Sequence, residues 1–309
     1  MKKIAVFGGT GFVGSHIIKE LVTIECTPKV LVREGSEKKL LHSDRCSIIS
    51  GDISSVKNIE KTLSGTEAVI YVIGIIREFP QKGITFEKLH FQAAIRCMKT
   101  ALNLGVKRFI LMSANGVKPN GTDYQKTKYM SEQYLKDTDL DWTVFRPSLI
   151  FGDPQGKIEF CSQLRDDMLS IPLPAPLFYK GIVPKNAGSF SMSPINVKNV
   201  AEFFVKALDE KSTFHQTYEI GGINSFSWKE LVSIIATASG KKKWKIPTPA
   251  FPVKIMASVF DRFPWFPITG DQLSMLLEGN MCDSKKLFEE FDIEPLDFSA
   301  TNLSYLRAE

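Results

Sequence analysis

The chain has 309 residues, 43% hydrophobic and 24% charged, with a formal net charge of +5. That length holds one large domain or a domain with a smaller companion, and the mixed, mildly basic charge speaks against a dedicated nucleic-acid binder. Five scattered cysteines (Cys26, Cys46, Cys97, Cys161, Cys282) without a C-x-x-C pair read as buried thiols of a reducing, cytoplasmic setting, and four dispersed histidines give no metal-ligand spacing.

Met1-Lys2-Lys3 before apolar residues faintly resembles a signal peptide, but the apolar run stops at Gly8, too short for one. Instead, Lys3–Phe7 reads as a buried strand. It runs into Gly8-Gly9-Thr10-Gly11-Phe12-Val13-Gly14 and then a helix from Ser15. This is G-x-x-G-x-x-G between a strand and a helix, the context in which such a motif binds a dinucleotide. Gly8 permits the tight turn, Gly11 lets the backbone approach a pyrophosphate, and Gly14 lets helix and strand pack closely. The helix N-terminus offers N–H groups and a positive dipole end to the phosphates.

Further strands are expected at Lys29–Val32, Cys46–Ser50, Ala68–Ile73, Arg108–Met112 and Trp142–Arg146. The apolar run 68–76 is too short to span a bilayer and suits a buried parallel strand. Phe86, Leu89, Ala93, Cys97 and Ala101 fall at the spacing of one amphipathic helix. Such alternation predicts an α/β fold, a doubly wound parallel sheet with right-handed crossovers. A seventh strand, Thr217–Ile220, ends in Gly221-Gly222 and is expected to rejoin the sheet. Residues 1–152 with 190–222 are expected to form the dinucleotide-binding domain, and 153–189 with 223–309 a smaller lobe over the carboxyl ends of the strands.

The second strand ends in Val32-Arg33-Glu34-Gly35-Ser36, with Lys38 and Lys39 beyond. An acid at this position would accept from the ribose 2′-OH of NAD, whereas a basic residue would pair with the 2′-phosphate of NADP. Arg33 stands there, so NADP(H) is favoured, with NAD(H) open through Glu34. Asp52-Ile53, after the third strand, would lie near the adenine; Asp52 would serve equally as a helix N-cap. Tyr124 and Lys128 are four residues apart and share a helix face. A phenol is a poor acid–base group at neutral pH, but a neighbouring ammonium and an oxidised nicotinamide would favour its phenolate.

On these pieces, with Ser113, Arg146-Pro147-Ser148 and Tyr218-Glu219-Ile220-Gly221-Gly222, the chain resembles the extended or atypical short-chain dehydrogenase/reductases. Within that superfamily it resembles bacterial relatives of the NADPH-binding accessory subunit of respiratory complex I. The cues are Val72-Ile73-Gly74-Ile75-Ile76-Arg77-Glu78, residues 85–90, residues 112–117 and residues 267–273. The resemblance implies that Tyr124 is the acid/base, that Lys128 holds the nicotinamide ribose, and that the backbone after Pro147 lines the nicotinamide face. It places Thr10, Phe12, Val13 and Gly74 at the cofactor. The Ser or Thr that polarises the substrate oxygen in active members falls on Ala114 here, with Ser113 one residue early and Asn115 a substitute. Asn199 stands where relatives commonly carry Asp. The complex I relatives imply a second role, a scaffold or assembly factor that holds the nucleotide without turning it over.

Finally, Lys241-Lys242-Lys243-Trp244-Lys245 precedes an aromatic-rich stretch running to Phe266. Such a segment either closes the substrate lobe, suiting a quinone- or isoprenoid-like substrate, or meets an anionic membrane surface or a respiratory complex.

Overall fold

The computed structural model describes residues 1–260 and 268–307; Phe263, Trp265, Phe266 and Pro267 lie outside the described residues. Two compact units divide the chain. The first comprises Met1–Pro147, Val197–Glu219 and Glu290–Ile293; the second comprises Ser148–Asn196, Ile220–Glu289 and Glu294–Glu309.

The first unit is built on β1 (Lys3–Phe7), α1 (Phe12–Thr23), β2 (Thr27–Val32), β3 (Ser47–Ser50), α2 (Val56–Leu63), β4 (Ala68–Tyr71), α3 (Ala93–Asn103), β5 (Arg108–Met112), α4 (Asp123–Lys136) and β6 (Asp141–Pro147). The strand Gln216–Ile220 completes a seven-stranded sheet, placed beside β6 in the order β6, β5, β4, β1, β2, β3. Pairings among β1 to β6 are parallel. The seventh strand runs the same way: His215 N–H donates to Trp142 O at its start, and Ser148 N–H to Ile220 O at its end. Chain order reverses direction between β1 and β4, the switch point outside which doubly wound sheets hold their ligands.

Both faces of the sheet are covered, which is why its strands read as apolar runs. One face buries Phe7, Val69, Tyr71, Phe109 and Leu111 with apolar residues of α2, α3 and α4. Over the other, α1 packs on the helix Val197–Lys206, and Phe145 meets Phe203, Phe204 and Tyr218.

The helix expected from Phe86 does not run as one α-helix. Residues Glu87–Gln92 are π-helical, and α3 begins only at Ala93. Local bonds draw carbonyls out of the regular ladder: Leu89 O accepts from Tyr71 Oη (2.6 Å), and His90 O accepts from Ser131 Oγ. Such turns are rare and concentrate at functional sites.

The second unit has its own core around Phe151, Trp228, Leu231 and Phe298. Its sheets are short ribbons: Ile150–Phe151 with Ile195–Asn196, Ser191–Met192 with Phe226–Ser227, and Ala175–Tyr179 with Lys245–Pro249. The first two pairings hold residues 191–196 in this unit, and Gly222 N–H donates to Ser193 O, so by contacts the unit begins after Pro147 rather than after residue 152. Of the cysteines, Cys26, Cys97 and Cys161 are buried, whereas Cys46 and Cys282 are half-buried. No helix among the described residues is long and apolar enough to cross a membrane.

Candidate functional site

Every residue singled out in the sequence as a cofactor or catalytic candidate lies in the first unit. The glycine turn leaves β1 with Gly8 at φ +101°, a conformation that favours glycine. A Cβ on Gly14 would sit 2.2 Å from the Gly8 carbonyl oxygen, so α1 closes on the turn only because that atom is absent. Gly11 is the N-cap of α1 and has no side chain to cap the first turn, whose N–H groups are thus left to a ligand. Thr10, Phe12 and Val13 complete this mouth, and among them Val13 is buried.

Beyond β2, Arg33 and Glu34 are exposed, and Ser36 N–H donates to Arg33 O across the turn. Asp52 accepts from Ser54 N–H at 2.7 Å. Bonds to Ser54, with Arg33 and Arg96 nearby, hold its carboxyl below the usual range. Ile53 packs on the core of the unit.

The second half of the site is carried by α4. A reciprocal cap fixes its start: Thr122 Oγ1 accepts from Gln125 N–H, and Gln125 Oε1 accepts from Thr122 N–H. Its far half is tied to β6 by the fully buried Glu132, which takes Arg146 in a two-pronged pair at 2.9 and 2.6 Å. Between these anchors Tyr124, Thr127, Lys128 and Ser131 form a stripe at helical spacing.

Lys128 is 5% exposed; its ammonium donates to Met112 O at 3.0 Å and lies 5.7 Å from the centre of the Tyr124 ring. Burial lowers it to about 8, against which Glu132 acts upward, so it remains mostly protonated at neutral pH. The Tyr124 phenol is pushed well above its ordinary range by burial. The same side chain stands edge-on to Phe86 and to His90, with ring centres 5.6 and 5.2 Å away.

His90 is the residue that sequence reasoning passed over as no more than a family cue. Its Nε2 accepts from Ile75 N–H at 3.1 Å. Its Nδ1 lies 3.3 Å from Thr127 Oγ1, a hydroxyl that donates to Asp123 O. This pattern assigns a neutral imidazole with its proton on Nδ1. Burial first, and then the Lys128 charge, lower its pKa to about 2, which agrees with that assignment. Gly74 completes the wall: a Cβ there would lie 3.8 Å from Lys128 Nζ and 4.0 Å from His90 Nε2. The polar stripe on the inward face of α4 was the sequence signal for a partner, but it did not say which one.

Ser113 is 2% exposed, and its hydroxyl has no partner. It lines a cavity of about 10 Å³ with Tyr71, Ile73, His90, Lys128 and Ser131, among others; Tyr124 does not line it. Ala114 and Asn115 are half-buried at the end of β5, and Asn115 N–H donates to Pro147 O at 3.0 Å. The structure therefore joins Gly74, Ser113 and Lys128 in one cluster, with Tyr124 against Lys128. Asn115 and Pro147 meet at the neighbouring strand ends.

A nicotinamide dinucleotide fits these residues. The Gly8–Gly14 cradle is one that a Cβ would fill, the first turn of α1 carries no side-chain cap, and a buried hydroxyl stands unpartnered beside a buried ammonium. Residues 8–171 match the family model described as "NAD(P)H-binding". The chain is 25% identical to the mitochondrial NADH-ubiquinone oxidoreductase 40 kDa subunit of Neurospora crassa, over 98% of this chain and 78% of that protein. It is 22% identical to the photosystem II assembly factor Ycf39 of Synechocystis, over 99% and 90%. The crystal structure of the Thermus thermophilus UDP-glucose 4-epimerase in complex with NAD superposes with a TM-score of 0.72 at 17% identity, covering 98% and 97%. The chain belongs to the NAD(P)H-binding family, as a Rossmann-fold protein of the short-chain dehydrogenase/reductase type.

Proposed function

We propose that this protein is an NADP(H)-dependent reductase that converts an apolar carbonyl compound to its alcohol. The observation that carries this reading is the half-buried, protonated Tyr124 whose ring lies 5.7 Å from the buried Lys128 ammonium on one face of α4. NADPH, when bound, supplies the hydride. Tyr124 gives its phenolic proton to the carbonyl oxygen. Its raised pKa keeps the phenol protonated at neutral pH, so the proton is in place to be given. Lys128 orients the cofactor ribose, and its charge favours the phenolate left after proton transfer. Ser113 and Asn115 flank Ala114, where a hydroxyl usually polarises the substrate oxygen. Phe86 and the uncharged His90 against the Tyr124 ring support an apolar substrate. The exposed Arg33, with Lys38 and Lys39, supports a 2′-phosphate.

Tyr124→Phe tests the assignment. Turnover of a responsive carbonyl substrate is expected to fall about a thousandfold while NADPH affinity holds. Full activity in the variant would remove Tyr124 from the chemistry. Arg33→Ala is expected to erase a preference for NADPH over NADH in a calorimetric titration. Equal loss with both nucleotides would instead assign Arg33 a structural part.

One observation favours a second reading. Ala114 offers no hydroxyl, and the relatives above include a complex I subunit and an assembly factor. Under this reading the nucleotide stabilises a scaffold, and Tyr124→Phe leaves the assembly of a partner complex untouched.

A further inference from the structure

The second unit carries a surface that the nucleotide site does not use. Strands Ala175–Tyr179 and Lys245–Pro249 pair in parallel, with Lys245 beside Ala175 and Pro249 beside Tyr179. Side chains alternate along the segment leading into the second strand. Lys241, Lys243 and Lys245 turn inward and bond to Ser170, to the carbonyls of Leu169 and Ile171, and to Ser233. Lys242, Trp244 and Ile246 point outward, and Trp244 is 85% exposed. At the same end of the ribbon Leu173 is 62% exposed, and Ala175 N–H donates to Trp244 O.

The ribbon continues directly into the helix Ala250–Phe260, which is apolar on both sides. Ala250 and Ala257 are buried, Val253 packs on the core of the unit, and the helix lies against Gly270–Glu278. Facing out are Phe251 (73% exposed), Ile255 (51%), Met256, Val259 and Phe260, with Lys254 the one charged residue of the helix. A helix on a protein surface ordinarily puts polar residues there. A contiguous apolar face of this kind marks an interaction surface.

Charge indicates what covers it. Residues 171–189 and 241–260, which meet in this ribbon and helix, contain seven lysines and no aspartate or glutamate. The chain as a whole carries 39 basic and 34 acidic residues, so this segregation is local. Exposed Trp and Phe on segments that carry lysines and no acid, with Lys242 and Lys254 pointing outward, match the headgroup boundary of an anionic bilayer: the rings enter the acyl edge and these ammonium groups remain at the phosphates. We propose that residues 171–183 and 242–260 form a docking surface for an anionic lipid membrane, to which the protein attaches from one side without spanning it.

Flotation with phosphatidylcholine vesicles, with and without phosphatidylglycerol, tests this on the full chain. The protein should float with the anionic vesicles and stay behind with the neutral ones. Trp244→Ser with Phe251→Ser should abolish flotation. Lys242→Gln and Lys254→Gln should each weaken it about fivefold, and added salt should mimic their loss. All four residues are exposed, so the variants should fold, with an unaltered NADPH titration as the check. No flotation of the wild-type protein, or flotation indifferent to the aromatic pair, would overturn the proposal. So would a concentration-dependent dimer that these substitutions dissolve while vesicles remain unbound, since a second copy would then cover the face. The readout does not depend on turnover, so a failed reductase assay leaves it standing.

Discussion

Two helices of this molecule reverse each other's logic. The α4 helix hides its polar groups: Thr127, Lys128, Ser131 and Glu132 are all buried. Each finds a bond, to Asp123 O, Met112 O, His90 O or Arg146. The helix Ala250–Phe260 instead exposes apolar groups, Phe251 at 73% and Ile255 at 51%. The contrast teaches what each surface is for. Buried polar groups are costly unless paired, so a stripe of them inside a helix marks a constructed site. Exposed apolar side chains cost the fold little, and their meaning lies with whatever meets them.

The comparison breaks most violently at the glycine cradle, the other half of the site that α4 serves. Gly14→Val should destabilise the first unit by about 3 kcal/mol, because its Cβ would be driven into the Gly8 carbonyl, backbone that cannot swing away. Urea unfolding and an NADPH titration should fall together; a variant that still bound NADPH normally would show that the cradle yields.

A smaller effect should follow from pH. His90 holds a pKa near 2 in the fold, against 6.5 for a free imidazole. Below pH 6.5 the unfolded chain takes up a proton there that the folded chain refuses. The stability conferred by the neutral ring is therefore complete above pH 6.5 and drains away as pH falls toward 2. His90→Gln keeps an acceptor for Ile75 but cannot titrate. Between pH 6 and pH 4 its stability should fall less steeply than that of the wild type, by about 1.4 kcal/mol per pH unit. Parallel stability curves would mean that His90 protonates readily in the fold.

The smallest effect sharpens the other side. Phe251→Ser should shift unfolding stability by no more than about 0.5 kcal/mol, as for a surface residue without partners. A loss several times larger would make that face part of the core.

The two helices also differ in how legible they were. The Gly8–Gly14 turn could be read directly, because its demand is local sterics: an absent Cβ is written in the sequence. The strands of the first unit were readable because burial on both faces leaves uninterrupted apolar runs. Their ends drifted by a residue or two, as with β2, which begins at Thr27 to pair with Lys3. Tyr124 and Lys128 were legible by their spacing together with their place after the fifth strand and downstream of the glycine turn. His90 was not, because its role depends on Ile75 and Thr127, 15 and 37 residues away, and on a π-helical turn that periodicity read as α. Ser113 was legible as a residue but not as a position; that its hydroxyl opens into a cavity behind Lys128 emerges only from packing. The ribbons of the second unit escaped altogether. They are two to five residues long, and the two longest are interrupted by proline, so no repeat can accumulate over them.

The π-helical stretch Glu87–Gln92 sets the rotational phase of everything on its N-terminal side. Each residue advances a helix by about 100°. Deleting one residue within the stretch would return the helix to regular α geometry. The same deletion would turn Phe86 by a quarter revolution or more and take it off the Tyr124 ring. In this chain the aim of one wall of the site is kept by a residue count together with the bonds from Tyr71 and Ser131.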